Sequence, residues 1–135
     1  MRETWVLIVD DNEDCRGLVR LALEQEGFTV RVACDGREAL AKLEESASSR
    51  CLVLLDLMMP GMTGWEFVKA MRGDPVLGDN PIVATTAVPE DAPCGVDAVL
   101  QKPFDLEKLV SIVARYCSRA PIAPQAAAPA FVPHP

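Results

Sequence analysis

Asp10, Asp11, Asp56, Thr86 and Lys102 are side chains whose types could act together on a phosphoryl group. Each follows a short apolar run: Val6-Leu7-Ile8-Val9 before Asp10-Asp11, Cys51 to Leu55 before Asp56, Ile82-Val83-Ala84 before Thr86, and Ala98-Val99-Leu100 before Lys102. Runs of this kind read as strands of a parallel sheet, whose carboxyl ends converge on one rim where ligands bind. Three carboxylates on that rim repel one another, an arrangement that calls for a cation. Mg²⁺ suits a site of few carboxylates plus waters. Lys102 adds a second positive group and Thr86 a hydroxyl donor. What such a set lacks is an anion with several oxygens, which describes a phosphoryl group. Asp56 is the candidate nucleophile that would carry it as an aspartyl phosphate.

Taken singly, these residues have ordinary explanations. Asp10-Asp11 reads as a helix-capping cluster, Asp56 as a turn acid at a strand end, Thr86 as strand composition and Lys102 as surface charge. Their joint placement after separate apolar runs carries the functional reading.

The elements that must position them alternate along the chain. Strand one, Val6 to Val9, feeds a helix through the acidic turn Asp10 to Asp14, with Cys15, Leu18, Val19 and Ala22 at helical spacing up to a stop at Gly27. Phe28 to Val32 alternates as a half-exposed edge strand, and Ala39, Leu40 and Leu43 mark a second helix. The third strand ends at Asp56, and Met59-Pro60-Gly61 leads to a helix from Gly64 to about Arg72 with Phe67, Val68 and Met71 inside. After the strand ending at Thr86, only the seven residues Val88 to Cys94 separate Ala87 from Gly95. A crossover with a full helix usually needs about a dozen or more. Pro89 can open a helical turn and Pro93 would break the next, so helix four should be a single turn or absent. Ala98 to Gln101 is the last strand, and Leu106, Leu109, Val110 and Val113 set up the final helix. Strands alternating with helices call for a doubly wound α/β sheet.

The chain has 135 residues, half of them apolar, enough for one domain with a proper core. The formal charge of −7 opposes direct contact with nucleic acid. Its five cysteines are spread without any C-x-x-C pair, so they read as buried small hydrophobes in a reducing compartment rather than a zinc or disulfide pattern. No run is long enough for a membrane span and the apolar start is too brief for a signal peptide, which predicts a cytoplasmic protein without a membrane partner. Trp5 and Trp65 read as packing residues. His134 lies in an Ala/Pro-rich stretch that cannot bury a core. The predicted organisation is a folded domain over 1–118 and a linker or disordered tail over 119–135.

With Val9-Asp10-Asp11, Asp56 followed by Met59-Pro60-Gly61 and Gly64, Thr86-Ala87, and Lys102-Pro103-Phe104 in order, the chain resembles a response-regulator receiver domain over about residues 4 to 118. The resemblance implies a flavodoxin-like, five-stranded parallel sheet of order 2-1-3-4-5. It implies that Asp56 accepts a phosphoryl group from a histidine kinase or His phosphotransfer protein, with Thr86 and Lys102 on the phosphoryl oxygens. It further implies that Asp11, Asp56 and the Met58 carbonyl bind Mg²⁺ directly, that Asp10 acts through water, and that the Lys102–Pro103 bond is cis.

Two departures bear on signalling. The aromatic residue that the family often carries three positions before the Lys is Val99 here, and helix four is abbreviated. Met58 and Val88 stand at positions similar to those that tune hydrolysis, and both are apolar, which predicts slow self-dephosphorylation.

The leading expectation is a phosphorylation switch that modulates a protein–protein interaction, either alone or joined to an output domain, with no turnover of an external substrate. The alternative is a receiver-like interaction module that works without phosphate, and a phosphate sink in a relay lies between them. A haloacid-dehalogenase-like phosphohydrolase would need a second Asp where Met58 stands. A dinucleotide-binding fold lacks its glycine motif after strand one.

Overall fold

In the computed structural model, which describes residues 4–59 and 61–117, the apolar runs are strands of one parallel sheet in the order β2-β1-β3-β4-β5. The strands are β1 (Trp5–Val9), β2 (Val30–Ala33), β3 (Cys51–Asp56), β4 (Ile82–Thr86) and β5 (Ala98–Gln101). Pro60, the boundary expected at Ser118 and the tail expected over 119–135 lie outside the described residues.

Because strand side chains alternate, the central strands feed two cores at once. Leu7, Val9, Val53 and Leu55 face α2 (Gly36–Glu45) and α3 (Gly64–Arg72), which contribute Ala39, Leu43, Phe67, Val68 and Met71. Val6, Ile8, Leu52 and Leu54 face α1 (Glu13–Gln25) and α4 (Leu106–Cys117), which contribute Val19, Leu23, Leu109, Ile112 and Val113. Full burial of each such Leu, Ile or Phe contributes about 1.5–3 kcal/mol.

Several boundaries differ from the sequence reading. The edge strand begins at Val30 rather than Phe28, because Gly27 at φ 91° turns the chain out of α1 and Phe28 still packs against the helix-side core. Leu18 is exposed, not inside. Cys15, Val19, Ala22 and Leu23 form the inner stripe, which rotates Leu18 and Leu21 to the surface at 56% and 55% exposure. Of the cysteines, Cys51 and Cys117 are buried as expected, whereas Cys34 and Cys94 are exposed and Cys15 is intermediate; all are free thiols.

The short crossover is as expected. Between β4 and β5 the chain makes one 3-10 turn, Pro89–Asp91, with Pro at its start. Instead of a helix, Arg72 holds the crossover in place. Its Nε donates to the Gly95 carbonyl at 2.7 Å, Nη1 to the carbonyls of Gly78 and Asn80 at 2.6 and 2.7 Å, and Nη2 to Asp97 Oδ2 at 2.8 Å. Asp97 Oδ2 also accepts from the Ile82 N–H at 2.8 Å. Gly95 lies so close to α3 that a Cβ there would meet Val68 Cγ1 at 2.5 Å.

Candidate functional site

The carboxyl ends of β1 and β3 put two acids into a low-exposure pocket. Asp10 leaves β1 with its N–H bonded to the Ala33 carbonyl at 3.1 Å and is 5% exposed; Asp56 is the last residue of β3, in register with Thr85, and is 7% exposed. Asp11 follows Asp10 and is exposed. One carboxylate oxygen from each of Asp10, Asp11 and Asp56 can be chosen so that all lie within 4.8 Å of one another.

Local caps hold these acids in place. Asn12 caps α1 by accepting from the Cys15 N–H at 2.8 Å, and its own N–H donates to Asp10 Oδ1 at 2.9 Å. Arg16 Nη1 donates to the Asp10 carbonyl at 2.9 Å. On the other side, Asp56 Oδ1 accepts from the Met58 N–H at 3.0 Å. The loop after β3 is closed by the Gly64 N–H to the Leu57 carbonyl at 3.1 Å and by a capping box in which Thr63 and Glu66 bond reciprocally. Gly64 is required there, since a Cβ would sit 2.5 Å from the Leu57 Cα. Gly61, at φ 77°, makes the turn leading into it.

Lys102 enters from the end of β5, anchored by its N–H to the Thr86 carbonyl at 2.8 Å and followed by a cis bond to Pro103. Its ammonium lies 3.4 Å from Asp56 Oδ2 and 3.9 Å from Asp10 Oδ2. Thr86 ends β4 buried, its Oγ1 accepting from the Val88 N–H at 3.1 Å. Met58 and Val88 flank the rim at 67% and 44% exposure.

Burial pushes the Asp56 carboxyl above the ordinary carboxylate range, opposed by the Met58 N–H and the Lys102 ammonium and reinforced by Asp10. A carboxylate that is desolvated and crowded by acids is a better nucleophile and a better cation ligand than a solvated one. Oxygen-only donors at this spacing match a hard divalent cation such as Mg²⁺.

Sequence reasoning missed Cys15. With Asp10, Asp56, Thr85 and Phe104 it lines a small cavity beneath the acids, and its thiol is pushed up to about 11 by burial, then by a hydrogen bond to Asp10. Its position in the first turn of a helix following an acidic strand end was the available signal. The tether from Trp65 Nε1 to the Asp91 carbonyl, 2.9 Å, was likewise not legible in the sequence.

Comparison with known proteins bears on this geometry. The model of the response regulator receiver domain matches residues 6–114. An uncharacterized 14.6 kDa protein from the sodA1 3′ region of Leptolyngbya boryana is 35% identical over 122 residues, covering 86% of this chain and 92% of that protein. The transcriptional regulatory protein ResD of Bacillus subtilis is 37% identical over 124 residues, covering 87% of this chain and 50% of ResD. This chain thus spans about half the length of the transcriptional regulators it matches. Among solved structures, the chemotaxis response regulator CheY4 of Vibrio cholerae is similar with a TM-score of 0.76 at 34% identity, covering 86% of this chain and 99% of that one.

Proposed function

The chain belongs to the response regulator receiver domain family, and from that premise we propose that Asp56 is its phosphoacceptor, served by Lys102, Thr86 and an acidic Mg²⁺ site. Receiver domains are the phosphoaccepting modules of two-component systems and bind Mg²⁺ in an acidic pocket. The observation that carries the assignment here is the buried Asp56, 3.4 Å from the Lys102 ammonium and clustered with Asp10 and Asp11.

The residues divide the work as follows. An Asp56 oxygen forms the new P–O bond while the P–N bond of a phosphohistidine breaks and its electron pair returns to the imidazole. Lys102 and the Thr86 hydroxyl receive the phosphoryl oxygens, and the Met58 N–H orients the carboxylate. Asp11, Asp56 and the Met58 carbonyl would hold Mg²⁺, with Asp10 acting through water. Bound there, the cation offsets the charge of the acids and of the incoming oxygens.

The donor is a histidine kinase or a His phosphotransfer protein, and the product state alters affinity for a protein partner or an attached output domain. Turnover of an external substrate is not expected, since Met58 occupies the place where a phosphohydrolase of the aspartyl type needs its acid. The net charge of −7 opposes direct nucleic-acid contact by this segment. No helix among the described residues is long and apolar enough to cross a membrane.

Intact-mass spectrometry after incubation with acetyl phosphate and Mg²⁺ tests the proposal. One phosphoryl adduct, lost in Asp56→Asn and with chelator, is the expected result; an undiminished adduct in Asp56→Asn would refute it.

A further inference from the structure

A receiver whose β5 carries Val99 in place of an aromatic residue needs another route from the phosphoryl site to its surface. Hydrogen bonds from Thr86 to α3 trace one. The Val88 N–H donates to Thr86 Oγ1 at 3.1 Å, the Asp91 N–H donates to the Val88 carbonyl at 3.0 Å, and Trp65 Nε1 donates to the Asp91 carbonyl at 2.9 Å. Three bonds and the 3-10 turn Pro89–Asp91 therefore join the buried hydroxyl at the site to an indole on α3. Trp65, Ala92 and Val99 are each partly buried against the same core.

The mechanical boundary conditions favour motion in this segment. Arg72 clamps the far end of the crossover at Gly95 and Asp97, and Gly95 abuts Val68. The near end is held more lightly, by the Val88 N–H on Thr86, the Trp65 bond to Asp91 and Ala92 against the core, while Val88, Glu90 and Asp91 are themselves exposed.

We propose that phosphorylation is read out through this turn: the Thr86 hydroxyl turns towards the phosphoryl group, the Val88 N–H loses or follows its acceptor, and the turn shifts against Trp65. Trp65 and Pro89–Asp91 then form the responsive surface in place of a full fourth helix. This rests on the phosphoacceptor reading of Asp56.

The two indole N–H resonances provide the test. ¹H–¹⁵N spectra are recorded with Mg²⁺ before and after acetyl phosphate, with the adduct measured by intact mass in the same sample and Trp65→Phe used to assign the peaks. The expected result is displacement of the Trp65 peak by more than its linewidth, while the peak of Trp5, at the opposite end of β1, stays in place. Thr86→Ser retains the displacement, and Thr86→Val, once it carries the adduct, loses it. A fully phosphorylated sample with an unmoved Trp65 peak overturns the relay while leaving the Asp56 assignment standing. An equal displacement in phosphorylated Thr86→Val, or in unphosphorylated Asp56→Asn, also overturns it. Absence of any adduct in folded protein overturns the phosphoacceptor reading and the relay with it.

Discussion

The Lys102 ammonium lies 3.4 Å from Asp56 Oδ2 across the sheet, joining the ends of two strands that are not neighbours. A single cation facing two buried acids only partly offsets their mutual repulsion, and Asp56 stays harder to ionise than a free carboxyl.

That imbalance has a sign. The folded state of Asp56 has a raised pKa, so folding binds its proton more tightly, and this stabilisation is present below the unfolded value and lost as pH rises through the folded one. In Mg²⁺-free buffer, Asp56→Asn should melt higher than wild type at pH 7, with the gain shrinking to nothing as pH falls to the ordinary carboxylate range. Thermal denaturation across pH checks this; a lower melting point for Asp56→Asn at pH 7 contradicts it.

Mg²⁺ should raise the melting temperature of the wild-type protein by linkage. Asp11→Ala should abolish that rise. Asp10→Asn should retain it with affinity weakened roughly 10–100-fold, the outcome expected of a carboxylate that acts through water. A Mg²⁺ titration of melting temperature in which Asp11→Ala behaves as wild type would count against the ligand assignment.

Arg72 carries the load of the missing helix. Removing its side chain leaves Asp97 without its cation and three carbonyls without a donor, so Arg72→Ala should cost about 3 kcal/mol in urea denaturation. Arg72→Lys should recover little of this, because an ammonium cannot span the same fork of acceptors. A loss under about 1 kcal/mol would mean that the crossover is held otherwise.

Much of this architecture was legible in the sequence, and the reasons are physical. Continuous apolar runs at β1, β3 and β4 signalled strands buried on both faces, and Asp10, Asp56, Thr86 and Lys102 were placed by following each run to its end. Pro89 and Pro93 bracketed the crossover and predicted its single turn. Leu18 was misjudged because Leu18, Val19, Ala22 and Leu23 support two overlapping helical stripes, and only the packing of α4 against α1 decides between them. Residue type alone favours burial for Cys34 and Cys94, and both are exposed. The Arg72 and Trp65 contacts join elements 23 to 26 residues apart through backbone carbonyls, which no side-chain pattern encodes.

The side chains of Met58 and Val88, both exposed and apolar, carry no group that could orient an attacking water. The phosphorylated protein should therefore lose its adduct slowly in Mg²⁺ buffer, and Met58→Asn should shorten its half-life several-fold. A wild-type half-life of seconds, followed by intact mass, contradicts this.

The position of the phosphoryl group on the chain can be read directly. Protein treated with acetyl phosphate and Mg²⁺ is reduced with borohydride, which converts an aspartyl phosphate to homoserine, and is mapped by peptide mass spectrometry. Homoserine is expected at position 56 and at no other acid. Reduction at Asp10, Asp11 or elsewhere, with Asp56 intact, would contradict it.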